Sequence, residues 1–131
     1  MSKLLKMEHE GDPADGIREA VGDLSGFSIF GNQVLIGIYK RPEKTKSGLF
    51  LADATRTEDE YQGKAGLVLA MGPSAFVSDA HYDFKGQKAD IGSWVAIFVS
   101  DGRKIVINGQ LCRLVEDQFV RMTIPTPDSV Y

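Results

Sequence analysis

The strongest constraint on the fold is a series of short apolar runs, each followed by residues that favour turns. Within the runs, apolar residues alternate with polar ones or form a short block, which is the pattern of β-strands. Asn108-Gly109 is the strongest short-range signal of a tight hairpin, and Asp101-Gly102 predicts a second hairpin. Strands are predicted at residues 33–39, 67–71, 94–99, 104–107, 110–115 and 119–124. This spacing of short strands predicts an all-β fold, either a sandwich or a small barrel.

Composition places the chain among ordinary globular proteins and excludes several classes of function. Its 131 residues suffice for one domain, and 43% hydrophobic with 25% charged residues argue against wholesale disorder. The formal net charge is -3 and no basic run exceeds two residues, so nucleic-acid binding is not expected. No apolar run reaches membrane-spanning length, and the N-terminal sequence lacks the apolar block of a signal peptide. We therefore expect a cytoplasmic protein that does not bind membranes.

The beginning of the chain has a different pattern and predicts an N-terminal arm. Residues 1–12 are polar and are expected to be mobile. Asp12-Pro13 is a good helix start, because the carboxylate can cap the first turn and proline suits the first helical position. The predicted helix ends at residues 25–26. Its predicted apolar face consists of Ile17, Ala20, Val21 and Leu24. The predicted divisions are an arm at 1–29, a β-domain at 30–124 and a tail at 125–131.

No catalytic, metal-binding or cofactor-binding constellation is found in the sequence. The two histidines, His9 and His81, have no partner at a ligand-like spacing. Cys112 is the only cysteine, which rules out an internal disulfide, and its place in a predicted strand favours a small core residue. The acidic residues 57–60 lack the alternating ligand positions of a calcium loop and are interpreted as a solvated face. An enzyme is not expected, and no cofactor or metal is predicted.

A long polar segment with an apolar triplet near its centre joins the first two predicted strands. The triplet is Leu49-Phe50-Leu51, and the segment spans about residues 42–65. Irregular segments of this length are uncommon in compact domains and are usually functional or disordered. The triplet either forms a short hairpin strand buried on its own sheet or is offered to a partner. The residues around it decide between these alternatives.

The motifs around the triplet resemble, in order, those of the co-chaperonin GroES family. Lys40-Arg41 resembles the end of the strand that leads into the family's mobile loop. Residues 45–51 (TKSGLFL) resemble the loop, in which small and polar residues precede three apolar ones. Residues 66–72 (GLVLAMG) resemble the strand by which the loop returns to the barrel.

Motifs further along the chain extend the resemblance. Residues 89–98 (ADIGSWVAIF) resemble the family's V-K-V-G-D-x-V-I-F strand, and residues 114–124 resemble its closing strand. The resemblance covers roughly residues 33–124, with the motifs in the same order and at comparable spacing.

The resemblance implies a small GroES-like β-barrel with a long mobile loop and a short helical arm. Such subunits form a homo-oligomeric ring, a heptamer in the family, that caps a GroEL-type chaperonin and assists protein folding. The chaperonin-binding residues implied are Leu49, Phe50 and Leu51, and the loop hinges are Ser47, Gly48 and Gly66. Pairing of the first and last strands of neighbouring subunits would also protect exposed strand edges. The implied ring-interface residues are Val34, Leu35, Ile36, Val120, Met122 and Ile124.

A second function from another class stays open at the level of the sequence. The arm and the tail have no counterpart in ordinary members of the family, which indicates a divergent, phage-encoded or otherwise specialised relative. The alternative is a non-enzymatic structural module that reuses the barrel, such as a phage virion decoration or adaptor protein. In that case the extended termini would hold neighbouring subunits or phage coat proteins, and the protein would be found in the virion.

Overall fold

The structure is a computed structural model, and it describes residues 7, 9, 11–42, 48–52, 56 and 64–130. The described chain is mostly β, with one six-stranded antiparallel sheet and one short helix. This confirms the predicted all-β class at that level. The elements are α1 (Pro13–Val21), β1 (Gln33–Ile38), β2 (Ala65–Met71), β3 (Trp94–Ala96), β4 (Arg103–Ile107), β5 (Gln110–Glu116) and β6 (Met122–Ile124), with 3-10 turns at Asp117–Phe119 and Pro127–Ser129.

The strand order in the sheet is β4-β5-β1-β2-β3-β6. β4 and β5 form the hairpin predicted from the Asn-Gly pair, because Asn108 (φ 50°) and Gly109 (φ 84°) take the two positive φ values of a tight hairpin turn. The second predicted hairpin is wrong, since β3 pairs with β2 and β6 whereas β4 pairs with β5. The turn at residues 101–102 therefore carries the chain from near one edge of the sheet to the opposite edge.

β1 lies at the centre of the sheet and not at an edge. It pairs with β5 on one side and with β2 on the other. Val34 and Ile36 belong to a buried cluster on one face of the sheet, and Leu35 belongs to a cluster on the other face. The prediction that Val34, Leu35 and Ile36 lie at a ring interface through strand pairing is therefore wrong, because pairing within the chain uses both sides of β1. A continuous apolar run indicates burial on both faces, but it does not say which strands lie at the edges.

β3 and β6 are shorter than predicted because the chain turns away at one end of each strand. Phe98 was predicted to continue β3, but its N–H donates to Asp101 Oδ2 at 3.1 Å and forms a local turn. The predicted start of β6 is instead the 3-10 turn at Asp117–Phe119. This turn is closed by the N–H of Val120, which donates to the carbonyl of Asp117 at 3.1 Å.

The two ends of α1 follow from local capping. The helix begins as predicted, because Asp12 accepts a hydrogen bond from the N–H of Ala14 at 2.9 Å. It ends at Val21, earlier than predicted, because Gly22 adopts a positive φ of 74° and donates its N–H to the carbonyl of Arg18 at 3.0 Å. This is the usual role of glycine just after a helix.

The arm is part of the fold rather than an addition to it, since α1 packs on one face of the sheet. The buried face of the helix consists of Ala14, Ile17 and Val21. This face lies against apolar residues of three strands, namely Leu35, Leu67 and Cys112. Ala20 is exposed, so the predicted helix face is wrong at that position.

Gly37 in β1 allows the close approach of α1. A Cβ atom at this position would lie 2.5 Å from Ile17 Cγ2 and 3.0 Å from Leu69 Cδ1. We expect Gly37→Ala to lower the free energy of unfolding by about 1–3 kcal/mol, because overpacking displaces the neighbours. Urea denaturation measures this, and Gly26→Ala is the matched control, since a Cβ there meets nothing within 4 Å. An unchanged urea midpoint for Gly37→Ala would contradict this packing.

Both terminal segments contact the sheet in their described parts. Met7 is fully buried, and His9 Nε2 lies 3.3 Å from the hydroxyl of Tyr39. These two residues, which belong to the segment predicted to be mobile, thus contact the rest of the chain. In the tail, Pro127 is buried within a 3-10 turn.

Candidate functional site

The candidate site is the segment that joins β1 to β2. At the root of this segment, the N–H of Tyr39 donates to the carbonyl of Ala65 at 2.9 Å. The adjacent pair in the register is Ile38 with Gly66. The segment therefore leaves and re-enters the sheet at one point, where two central strands end. Within this segment, residues 43–47, 53–55 and 57–63 lie outside the described residues.

The apolar triplet lies in the described part, and its first two side chains are on the surface. Leu49 is 62% exposed and Phe50 is 68% exposed, whereas Leu51 is partly buried. The interpretation that the triplet is a strand buried on its own sheet therefore does not hold for Leu49 and Phe50. Adjacent exposed apolar side chains of this size provide area that a partner can bury.

The predicted hinge residues fall in different environments. Ser47 lies outside the described residues. Gly48 has a φ of 93°, a conformation that favours glycine. Gly66 is paired within β2, where a Cβ would lie 2.3 Å from Ile36 Cγ2, so the missing side chain serves close packing. Hinge motion at Gly48 and Gly66 stays a prediction.

The other predicted interface residues are Met122 and Ile124 in β6 and Val120 just before it. β6 is one edge of the described sheet, and Met122 in it is 52% exposed. Ile124 is buried in the same cluster as Tyr39, and Val120 packs partly buried against the cluster on one face of the sheet. Met122 is thus the residue of this strand best placed to meet another chain, and an interface role for all three stays a prediction.

An open groove of about 920 Å³ runs beside β6. Residues 82–90 form the opposite wall, and the segment from 75 to 90 contains no strand. Aromatic rings contact one another along this wall: Phe76 and Phe84 lie edge to face with their centroids 5.6 Å apart, and Phe84 and Tyr82 are tilted with their centroids 4.5 Å apart. Arg121, just before β6, also lines the groove, and its Nε lies 3.4 Å from Asp101 Oδ2.

Asp117 fixes the start of this aromatic wall and was not identified from the sequence. Its carboxylate accepts hydrogen bonds from the N–H of Phe76 at 2.9 Å and from the N–H of Gln118 at 2.8 Å. Phe76 has a φ of 60°, which is costly for a residue with a bulky side chain. The carboxylate therefore helps to hold a strained backbone. In the sequence, Glu116-Asp117 indicates only a separation between strands.

Arg113 holds the turn after β3 and was also not identified from the sequence. Its side chain is buried, and its Nη1 atom lies 3.1 Å, 2.6 Å and 3.3 Å from the carbonyl oxygens of Phe98, Val99 and Asp101. Burial lowers the pKa of Arg113, and the nearby charge of Asp101 opposes this effect. The guanidinium remains charged, as it does in proteins generally. Its partners are carbonyl groups, which indicates a structural role.

The remaining reactive side chains have environments that favour structural roles. Burial raises the pKa of Cys112 to about 11, so its thiol is neutral and a poor nucleophile at neutral pH. Among the described residues, no group of three or more His, Cys, Asp or Glu side chains is placed to hold a metal ion. The acidic residues 57–60 lie outside the described ranges. In the part of the chain that the structure describes, no helix has the length and apolar character needed to cross a membrane.

No protein-family model matches the chain, and no curated protein matches it significantly.

Proposed function

We propose that the protein is a co-chaperonin of the GroES type, which forms a ring and caps a GroEL-type chaperonin in the cytoplasm. The observation that carries this proposal is the exposure of Leu49 and Phe50 on a segment rooted in two central strands. The sequence around them resembles the family's mobile loop. The six-stranded antiparallel sheet is compatible with the family's small barrel. This function requires neither a catalytic residue nor a cofactor.

The size of the exposed apolar surface suits a reversible contact. Burying Leu49 and Phe50 in an apolar groove would contribute about 1.5–3 kcal/mol for each side chain. Each residue whose backbone is fixed on binding costs about 1–2 kcal/mol in conformational entropy. One segment therefore binds weakly, whereas several segments on one ring bind together through a high effective concentration. A small change in each groove would then release the whole ring.

Ring formation is supported by the two edges of the sheet. β4 and β6 each have one neighbour in the described sheet. Exposed strand edges promote association with other chains, and β4 carries the exposed residues Ile105 and Val106. Contacts between two different surfaces of identical subunits are head-to-tail contacts, which close into rings when the rotation allows it. A ring would present several apolar triplets in the same direction.

The oligomeric state provides the first test. We expect the wild-type protein to have the native mass of a ring, seven subunits in the family it resembles, and Met122→Lys to shift the mass towards the monomer. The reason is that a charge buried at an interface carries a large desolvation cost. Native mass spectrometry measures both proteins. Ala20→Lys is the matched control, because it adds the same charge at an exposed helix position. A monomeric wild-type protein would contradict ring formation.

Chaperonin docking is tested by size-exclusion chromatography of the protein with a purified GroEL-type chaperonin and nucleotide. We expect the protein to co-elute with the chaperonin in a nucleotide-dependent manner. If the protein co-eluted with the chaperonin neither with nor without nucleotide, the result would count against the proposal.

The alternative function, a virion decoration or adaptor protein, was favoured by terminal segments that could reach neighbouring subunits. In the described ranges, both terminal segments pack on the sheet of their own chain, since α1 covers one face and Val130 packs against the cluster that contains Ala65 and Ile124. The observation that motivated the alternative is therefore weakened. Stoichiometric amounts of the protein on purified phage particles would still support it.

A further inference from the structure

Three segments that are far apart in the sequence meet at one cluster of polar side chains. Tyr39 lies at the root of the segment that joins β1 to β2, His9 belongs to the arm, and Asp128 belongs to the tail. The hydroxyl of Tyr39 donates to Asp128 Oδ1 at 2.6 Å. His9 Nε2 lies 3.0 Å from Asp128 Oδ2 and 3.3 Å from the Tyr39 hydroxyl. One carboxylate thus holds both other side chains.

Burial makes this cluster stronger than an ordinary surface contact. Tyr39 is 3% exposed, and the side chains of His9 and Asp128 are 20% and 18% exposed. Hydrogen bonds to an ionised carboxylate are about twice as strong as those between neutral groups. The rings of His9 and Tyr39 are also in contact, with their centroids 5.9 Å apart. The cluster therefore resists opening more than an exposed ion pair would.

Tyr39 links this cluster directly to the candidate site. Its hydroxyl donates to Asp128 in the tail, while its backbone N–H donates to the carbonyl of Ala65 at the root of the segment. Its ring lies in a buried cluster with Ala65 and Ile124, against which Val130 of the tail also packs. A displacement of Tyr39 would therefore disturb both the tail and the root of the segment.

We propose that His9, Tyr39 and Asp128 form a clasp through which the arm and the tail hold the ends of β1 and β2, Tyr39 and Ala65, from which the segment that joins the two strands leaves the sheet. In the closed clasp, Tyr39 is fixed at its hydroxyl and at its backbone. When the tail leaves, the buried hydroxyl loses its acceptor, and the pair of Tyr39 with Ala65 opens more often. A partner that binds the arm or the tail would thereby loosen the point at which the segment carrying Leu49 is attached to the sheet. The inference rests on the proposed function only in treating this segment as the docking element.

Hydrogen–deuterium exchange of the full-length protein, without any chaperonin, tests the clasp. We expect Tyr39→Phe and Asp128→Ala to increase exchange about two- to ten-fold at the amides of Tyr39, Lys40 and Ala65, because each variant removes a hydrogen bond to a charged group. Exchange in β5 is expected to stay unchanged. The double variant is expected to exchange no faster than the more affected single variant, because both remove the same contact. Tyr82→Phe removes an exposed tyrosine hydroxyl elsewhere and is the matched control.

Two results would overturn the clasp. Unchanged exchange at the root in Tyr39→Phe and Asp128→Ala would show that the cluster does not hold it. Equal acceleration at the root and in β5 would show that the cluster acts only on global stability. Since this measurement needs no chaperonin, a failure to cap a chaperonin would remove the proposed function and leave the clasp intact.

Discussion

Replacing Leu49 and Phe50 together with aspartate is expected to abolish nucleotide-dependent co-elution with a GroEL-type chaperonin. The double variant removes about 3–6 kcal/mol of apolar burial from each segment and places two charges against an apolar groove. Because a ring binds through several segments at once, the loss in each segment is multiplied across the ring. Size-exclusion chromatography detects the loss, and circular dichroism and native mass show that the fold and assembly are retained.

The matched control carries the same two charges at other exposed apolar positions. Val77 and Ile91 are 57% and 62% exposed, close to the values for Leu49 and Phe50. The variant Val77→Asp with Ile91→Asp is expected to co-elute like the wild-type protein. Co-elution of the Leu49→Asp and Phe50→Asp variant would refute docking through these residues. Loss of co-elution in both variants would point to added charge, and not to the triplet, as the cause.

Replacing Arg113 with methionine is expected to lower the free energy of unfolding by about 1.5–3 kcal/mol, because the hydrogen bonds between the charged guanidinium and its carbonyl partners are lost. The variant has a side chain of similar length but leaves the carbonyl groups of Phe98, Val99 and Asp101 without this donor. Each buried polar group that loses its partner costs about 1–3 kcal/mol. Urea denaturation at neutral pH measures the difference.

Two further variants separate the role of the guanidinium from a general effect of the substitution. Arg103→Met makes the same change at an exposed position of β4 and is expected to alter stability by less than about 0.5 kcal/mol. Arg113→Lys keeps the charge but lacks the planar set of donors, so an intermediate loss is expected. If Arg113→Met cost no more than Arg103→Met, other donors would have to satisfy the three carbonyl groups.

The positions of the strands were largely predictable, whereas their partners were not. β1 and β5 begin where the patterning predicts, because apolar periodicity reports directly on which side chains are buried. The Asn-Gly hairpin was also predictable, since its two positive φ values depend on local chemistry alone. Asp101-Gly102 gives a similar local signal, but the carboxylate of Asp101 and the distant Arg113 bind the turn instead. Turn signals specify a change of direction and not the strand that comes next in the sheet.

The exposed part of the site could be predicted, whereas the buried charged residues that hold other turns of the fold could not. Leu49 and Phe50 stand out because polar residues surround them in the sequence. Arg113 and Asp117, in contrast, read as ordinary charged residues at the surface of a strand or turn. Their partners are backbone groups at distant positions, such as the N–H of Phe76 bound by Asp117. A single sequence carries no local signal for such contacts.

The middle position of β1 and β2 has a mechanical consequence for Phe50 and the segment that carries it. Each of these strands is flanked on both sides, so a force on Phe50 is spread over the four strands β5, β1, β2 and β3 and does not separate one strand from an edge of the sheet. The segment that joins β1 to β2 is thus attached at the centre of the sheet, where a pulling force has to break contacts on both sides of each strand. A force applied at Phe50 would therefore separate this residue from a bound partner before the sheet unfolds.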